Sequence, residues 1–141
     1  MLEVKKERTG WRDEELSRRH RMWGWDCPAV DIDFLLLEYD KGIPCALVEY
    51  KNEHAAPQYP SHPSYKALAF LSTHSNIPFF AVRYSTDFLN FKVIPLNDIA
   101  NNIIKDRPTL TEKEYVTFLY KLRGRSVPSE VLENIGVGAK R

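Results

Sequence analysis

Between Val30 and Lys51 the chain sets two apolar runs between charged ends, reading VDIDFLLLEY, then DKGIP, then CALVEYK. Two β-prone segments therefore flank a hairpin signal, and acidic residues and a lysine stand where the strands end. Asp40-Lys41-Gly42 suits a three-residue loop with Gly42 left-handed, which places Tyr39 opposite Ile43 and Asp33 opposite Glu49. A loop two residues longer would set Asp33 against Lys51. Because side chains alternate faces, either register keeps Asp31, Asp33, Glu49 and Lys51 on one side. A two-residue Lys41-Gly42 turn would pair Asp33 with Tyr50 instead, but Lys-Gly is a poorer primed-turn pair than Asn-Gly or Asp-Gly.

The same reading predicts the other elements. From Trp11 to Trp23 there is no Pro or Gly. At about 100° per residue, Trp11, Leu16, Met22 and Trp23 share an arc of roughly 140°, the width of a core-facing side. Glu15 and Arg19 lie inside that arc and His20 at its edge. After Lys51, the stretch NEHAAPQYPSHPSY is a loop whose prolines forbid regular structure. Ser64 is expected to cap a helix reaching His74, with Leu68 and Leu71 buried and with Asn76 and Pro78 as the stop. Phe79–Tyr84 and Phe91–Pro95 read as strands. Asp98–Lys105 and Thr111–Arg123 read as helices, the second opened by Thr111 and Glu114 at capping-box spacing. A tail from Ser126 is expected to be loosely held.

Composition narrows the class. A chain of 141 residues suits one α/β domain, expected over residues 1–125 with the tail over 126–141. Cys27 and Cys45 lack CxxC spacing and sit among apolar residues, which speaks against a zinc site or disulfide framework and for thiols in the core. No apolar run approaches a bilayer-spanning length, so the expectation is a cytoplasmic protein with no membrane partner. The net charge of +1 does not announce a nucleic-acid binder. Its distribution matters more: Arg18, Arg19 and Arg21 cluster in the first helix, and Lys121, Arg123, Arg125, Lys140 and Arg141 load the C-terminal end, either of which suits phosphate contacts.

Carboxylates and a lysine beside the run Phe34-Leu35-Leu36-Leu37 need each other or a metal ion, since burying an unpaired charge is strongly unfavourable. An aspartate at the start of one strand with Glu-x-Lys on its hairpin neighbour resembles the active-site signature of the PD-(D/E)XK nuclease superfamily. The wording Ile32-Asp33 and Glu49-Tyr50-Lys51 is closest to RecB-type exonuclease domains, over roughly the first two thirds of the chain. The resemblance implies a restriction-endonuclease-like mixed central sheet flanked by helices, with C-terminal helices following. It also implies hydrolysis of nucleic-acid phosphodiesters, DNA first, with Mg²⁺ or Mn²⁺.

In that family the aspartate, the glutamate and the next backbone carbonyl hold the metal and the lysine positions the attacking water, roles that fall here on Asp33, Glu49, Tyr50 and Lys51. Family members also place a helix glutamate beside these carboxylates, a place Glu15 suits. The other reading of Glu15 is an i,i+4 ion pair with Arg19. A histidine ahead of the aspartate serves as a metal ligand in some members, which makes His20 a further candidate, with Asp31 beside it. Two departures stand out. The helix after Lys51 offers Tyr65 and Lys66 without the glutamine usual beside the tyrosine, leaving Lys66 for a phosphate. The family's strand before the aspartate has only Gly24–Ala29 available, with Pro28 inside it. A nuclease-fold protein that binds nucleic acid or a protein partner without cutting is the alternative function, and a buried ion network that only sets strand register is a third.

Overall fold

The computed structural model describes residues 14–24, 28–57 and 59–135, and the chain divides into two compact units, Met1–Asp31 and Ile32–Arg141. Trp11, Cys27, Gln58, Lys140 and Arg141, and half of the expected short strand over Gly24–Ala29, lie outside the described residues. In the first unit, α1 spans Glu14–Trp23 and buries none of its residues. The arc expected to face a core is thus exposed at Leu16, Met22 and Trp23.

The second unit is an α/β body around a five-stranded mixed sheet in the order β1-β2-β3-β4-β5. Its strands are β1 (Phe34–Glu38), β2 (Ile43–Asn52), β3 (Phe79–Tyr84), β4 (Phe91–Pro95) and β5 (Thr109–Leu110). Helix α2 (Pro63–His74) crosses over from β2 to a parallel β3, while the remaining pairs are antiparallel. Helices α3 (Asp98–Ile103), α4 (Glu112–Leu122) and α5 (Ser129–Asn134) follow. β3 and β4 coincide with the two expected apolar runs. β5 and α5 had no counterpart in the sequence reading, being only two and six residues long. Among the described residues no helix is long and apolar enough to cross a membrane.

Alternation along β2 and β3 gives the sheet two distinct cores. Leu47 and Phe79 pack with Tyr65, Leu68 and Ile77 on the α2 face. Their neighbours Val48, Phe80 and Val82 pack with Phe91, Val93, Ala100 and Tyr115 on the other, where Phe118, Leu119 and Leu122 of α4 close over them. Glu49 and Lys51, two and four residues beyond Leu47, share the α2 face.

Leu71 of α2, expected to be buried with Leu68, is exposed, and three further local details differ from expectation, each for a physical reason. The hairpin loop holds Tyr39, Asp40, Lys41 and Gly42, with Gly42 left-handed at φ 63°, so Glu38 rather than Tyr39 pairs with Ile43. A β-bulge then absorbs Cys45: Leu37 pairs with Pro44 but Leu36 with Ala46. The extra loop residue and the extra strand residue cancel, and the pairing of Phe34 with Val48 is the one a three-residue loop would have produced. The cap of α2 is His62, whose Nδ1 accepts from the Ser64 amide at 3.2 Å, rather than Ser64 itself. Pro63, with φ already set for a first helical turn, opens the helix two residues earlier than a Ser64 cap would. Finally, Arg123 and Arg125 converge on the buried Glu38, at 3.4 and 2.5 Å. They clamp the segment after α4 to the end of β1 instead of forming an open phosphate-binding patch. The capping box of Thr111 and Glu114 is present as expected.

Candidate functional site

The site is built where β1 ends and β2 continues. Extending the Phe34–Val48 pairing by one residue sets Asp33 beside Glu49, and two hydrogen bonds fix them there. The Asp33 amide donates to Glu49 Oε1 at 3.2 Å, and the Tyr50 amide donates to Asp33 Oδ2 at 3.0 Å. The Asp33 carboxylate thus stands in for the strand partner that Tyr50 lacks, satisfying an edge amide that would otherwise be orphaned. Odd-numbered amides of this segment point at β3, as Leu47 to Pro78 and Glu53 to Tyr84 show at 2.9 and 2.8 Å. Tyr50 is therefore directed the other way, and its carbonyl faces the Asp33 side.

Glu49 is only 7% exposed. Burial pushes its carboxyl group above the usual range, the adjacent Asp33 charge and carboxyl hydrogen bond push the same way, and the Asp33 amide and Lys51 pull it down. Glu49 thus holds a proton more readily than an ordinary carboxylate does. The folded state holds a proton on Glu49 at a pH where the unfolded chain has lost it. Its contribution to stability falls as pH rises from the ordinary carboxylate range to the raised value, and stays reduced above it. Glu49→Gln keeps the oxygen that accepts from Asp33. In chelator it is expected to melt higher than the wild type at neutral pH, with the gap closing below the carboxylate range. Parallel melts across that pH window check this, and a gap independent of pH would remove the assigned cause.

Lys51 is half-buried on the same face as Glu49, and in register with it on β3 stands Arg83. Among the described residues no salt bridge engages either cation. Arg83 Nη2 donates to the carbonyls of Glu53 and Ala55 at 2.8 and 2.6 Å, tying the loop after β2 to the sheet. Tyr65 of α2 is buried. Burial raises its phenol pKa, and the negative charges of Glu49 and then Asp33 add to that while Arg83 opposes it. Its hydroxyl therefore shares the field of the acid pair. A cavity of about 330 Å³ adjoins, lined by Lys51, Tyr59, Tyr65, Arg83 and Arg107 over Ala81, Ile94 and Leu96.

Of the other sequence candidates, Glu15, His20 and Asp31 belong to the first unit, and Lys66 and Cys45 to the second. Glu15 pairs with both Arg18 and Arg19, at 2.6 and 3.0 Å, on the exposed surface of α1. That is the ion-pair alternative, widened to a second arginine. His20 and Asp31 line a groove of about 590 Å³ within the first unit. Lys66 is exposed on α2. Cys45 is half-buried at the bulge rather than in either core. Arg83 was missed in the sequence, although it is the penultimate residue of its strand as Lys51 is of β2, and matching the two strand ends in parallel would have put Arg83 beside Lys51. Tyr59 and Arg107 carried no such signal. No family model, curated protein or solved structure matches this chain.

Proposed function

We propose that this chain is a metal-dependent nuclease of restriction-endonuclease-like fold that hydrolyses nucleic-acid phosphodiester bonds, with DNA as the substrate. The observation that carries the reading is the convergence of Asp33, Glu49 and Lys51 on one face at the open end of a β-hairpin. The donor set suits a hard divalent cation. Two mutually repelling carboxyl groups and a strand-edge carbonyl supply oxygen only, and Mg²⁺ is commonly held by one or two carboxylates with water and substrate phosphate completing its shell. Among the described residues no group of three or more His, Cys, Asp or Glu side chains is placed to hold a metal. Asp33, Glu49 and the Tyr50 carbonyl are accordingly the whole proposed set within this unit.

When bound, Mg²⁺ or Mn²⁺ lowers the pKa of a water molecule and offsets charge on the phosphoryl oxygens. The protein's share is positional. Asp33 and Glu49 are held by backbone amides, so they need little reorganisation. Lys51, which forms no salt bridge among the described residues, is available to orient the water or to balance charge that develops on the phosphate.

Purified protein is expected to cut DNA with Mg²⁺ or Mn²⁺ and to stop in chelator. Asp33→Asn keeps the acceptor for the Tyr50 amide, so it is expected to stay folded while losing at least about a hundredfold in rate. Metal-independent cutting, or full activity in Asp33→Asn, would overturn the assignment. The small donor set also favours a second reading, nucleic-acid binding without cleavage. Retained DNA binding with no Mn²⁺ uptake at millimolar concentration would select it.

A further inference from the structure

We infer that the cavity beside the acid pair is a pocket for one nucleotide carrying a terminal phosphate, so that the protein engages strands by an end. The choice of a nucleotide over other phosphates rests on the nuclease reading. The pocket itself rests on its lining.

Three cations, Lys51, Arg83 and Arg107, border about 330 Å³, and among the described residues no acidic side chain lines the same space. Three like charges around one space repel one another, and beyond the neighbouring acid pair a phosphate dianion is the ligand that relieves them. Arg83 is already oriented, because Nη2 is fixed by the Glu53 and Ala55 carbonyls. Its Nε and Nη1 remain without a partner among the described residues. Arg107 is set on the rim by an unusual backbone: Asp106 and Arg107 are both left-handed, at φ 66° and 46°, and neither is glycine. Two successive strained residues that deliver a cation to a cavity fit a ligand clamp better than a turn chosen for stability.

The remaining lining suits a base. Tyr59 is 71% exposed and stands between Pro57 and Pro60 in the cavity wall, offering a stacking face at low conformational cost. Ala81, Ile94 and Leu96 form an apolar floor. The volume lies at the lower end of small-molecule sites, which fits one nucleotide and not a length of duplex. Lys51 and Tyr65 belong both to this cavity and to the surroundings of Glu49 and Asp33. A nucleotide seated here lies next to the bond presented to the acid pair.

The test measures binding in chelator, by fluorescence anisotropy, with the full chain and single-stranded oligonucleotides bearing a 5′-phosphate, a 3′-phosphate or hydroxyls at both ends. One phosphorylated strand is expected to bind at least tenfold tighter than the hydroxyl strand, and free deoxyadenosine monophosphate is expected to compete with it. Arg107→Gly is expected to abolish that preference while raising the melting temperature, because glycine relieves the left-handed strain. This opposition of signs separates a lost contact from a damaged fold. Equal affinity for all three strands, or an undiminished preference in Arg107→Gly, overturns the proposal. So does binding of the free nucleotide with no preference among strands, which assigns the cavity to mononucleotides. Because no metal is present, failure of cleavage with a retained phosphate preference would sink the nuclease reading alone.

Discussion

Replacing Lys51 with alanine is expected to leave a folded protein whose metal-dependent cleavage has fallen by about a hundred- to a thousandfold, the usual cost of deleting one preorganised electrostatic group. Stability is expected to change little because of what Lys51 does in the fold. It is half-buried at the end of β2 and directly in register with Arg83 of β3. Strands lie about 4.8 Å apart, so two cations stand side by side, an apposition that disfavours the sheet. No salt bridge offsets it among the described residues. Removing the ammonium should therefore be neutral or slightly stabilising, within about 0.5 kcal/mol. The loss falls on the site instead. Lys51 is one of the groups that lower the Glu49 pKa, so its removal pushes that carboxyl further towards the protonated form and weakens its hold on a cation. A thermal melt and an initial cleavage rate in Mn²⁺ check both halves. Undiminished cleavage would remove Lys51 from the mechanism, and an unfolded variant would show that its role is structural.

The largest effect on stability is expected at Asn97, far from the proposed chemistry. Its side chain is buried and joins three elements. Oδ1 accepts from the amides of Phe79 and Ala100 at 3.1 and 2.9 Å, holding the start of β3 and capping α3. Nδ2 donates to Ser72 Oγ, Thr73 Oγ1 and the Ile77 carbonyl at 3.2, 3.3 and 3.0 Å, holding the end of α2. Alanine would strand the Phe79 amide and the Ile77 carbonyl without water and would remove a helix cap. At about 1–3 kcal/mol for each of the two buried orphans and about 1 kcal/mol for a cap, the expected loss is about 3–7 kcal/mol. Against a total stability of roughly 5–15 kcal/mol, that lowers the melting temperature by roughly 10–20 °C. Asn97→Asp keeps the acceptor but sets a carboxylate against the Ile77 carbonyl, so it is expected to do no better. Denaturant titration measures both, and a loss under about 1 kcal/mol for alanine would show that the hub is replaceable.

Those two residues differ in how far the sequence announced them. Lys51 was legible because a charge at the end of an apolar run conflicts with burial, and such a conflict is visible without any structure. Asn97 was invisible as a hub: in one dimension it is an ordinary cap before Asp98. Arg83 and Tyr65 were similarly out of reach. What brings them to the acid pair is the parallel crossover through α2, and a parallel pairing has no connecting turn whose residues encode its register. The C-terminal arginines read as an open basic patch, yet the structure spends Arg123 and Arg125 on Glu38.

The sequence by itself determined the runs that become β1 to β4, the helices α2, α3 and α4 and the capping box at Thr111. It also determined that Asp33, Glu49 and Lys51 share a face, because strand alternation is a property of the backbone and survives an uncertain loop. Tertiary structure alone decided the bulge at Cys45, the Asn97 hub and the meeting of Lys51, Arg83 and Arg107 around one cavity. These depend on contacts between residues far apart in the chain, and no local periodicity carries that information.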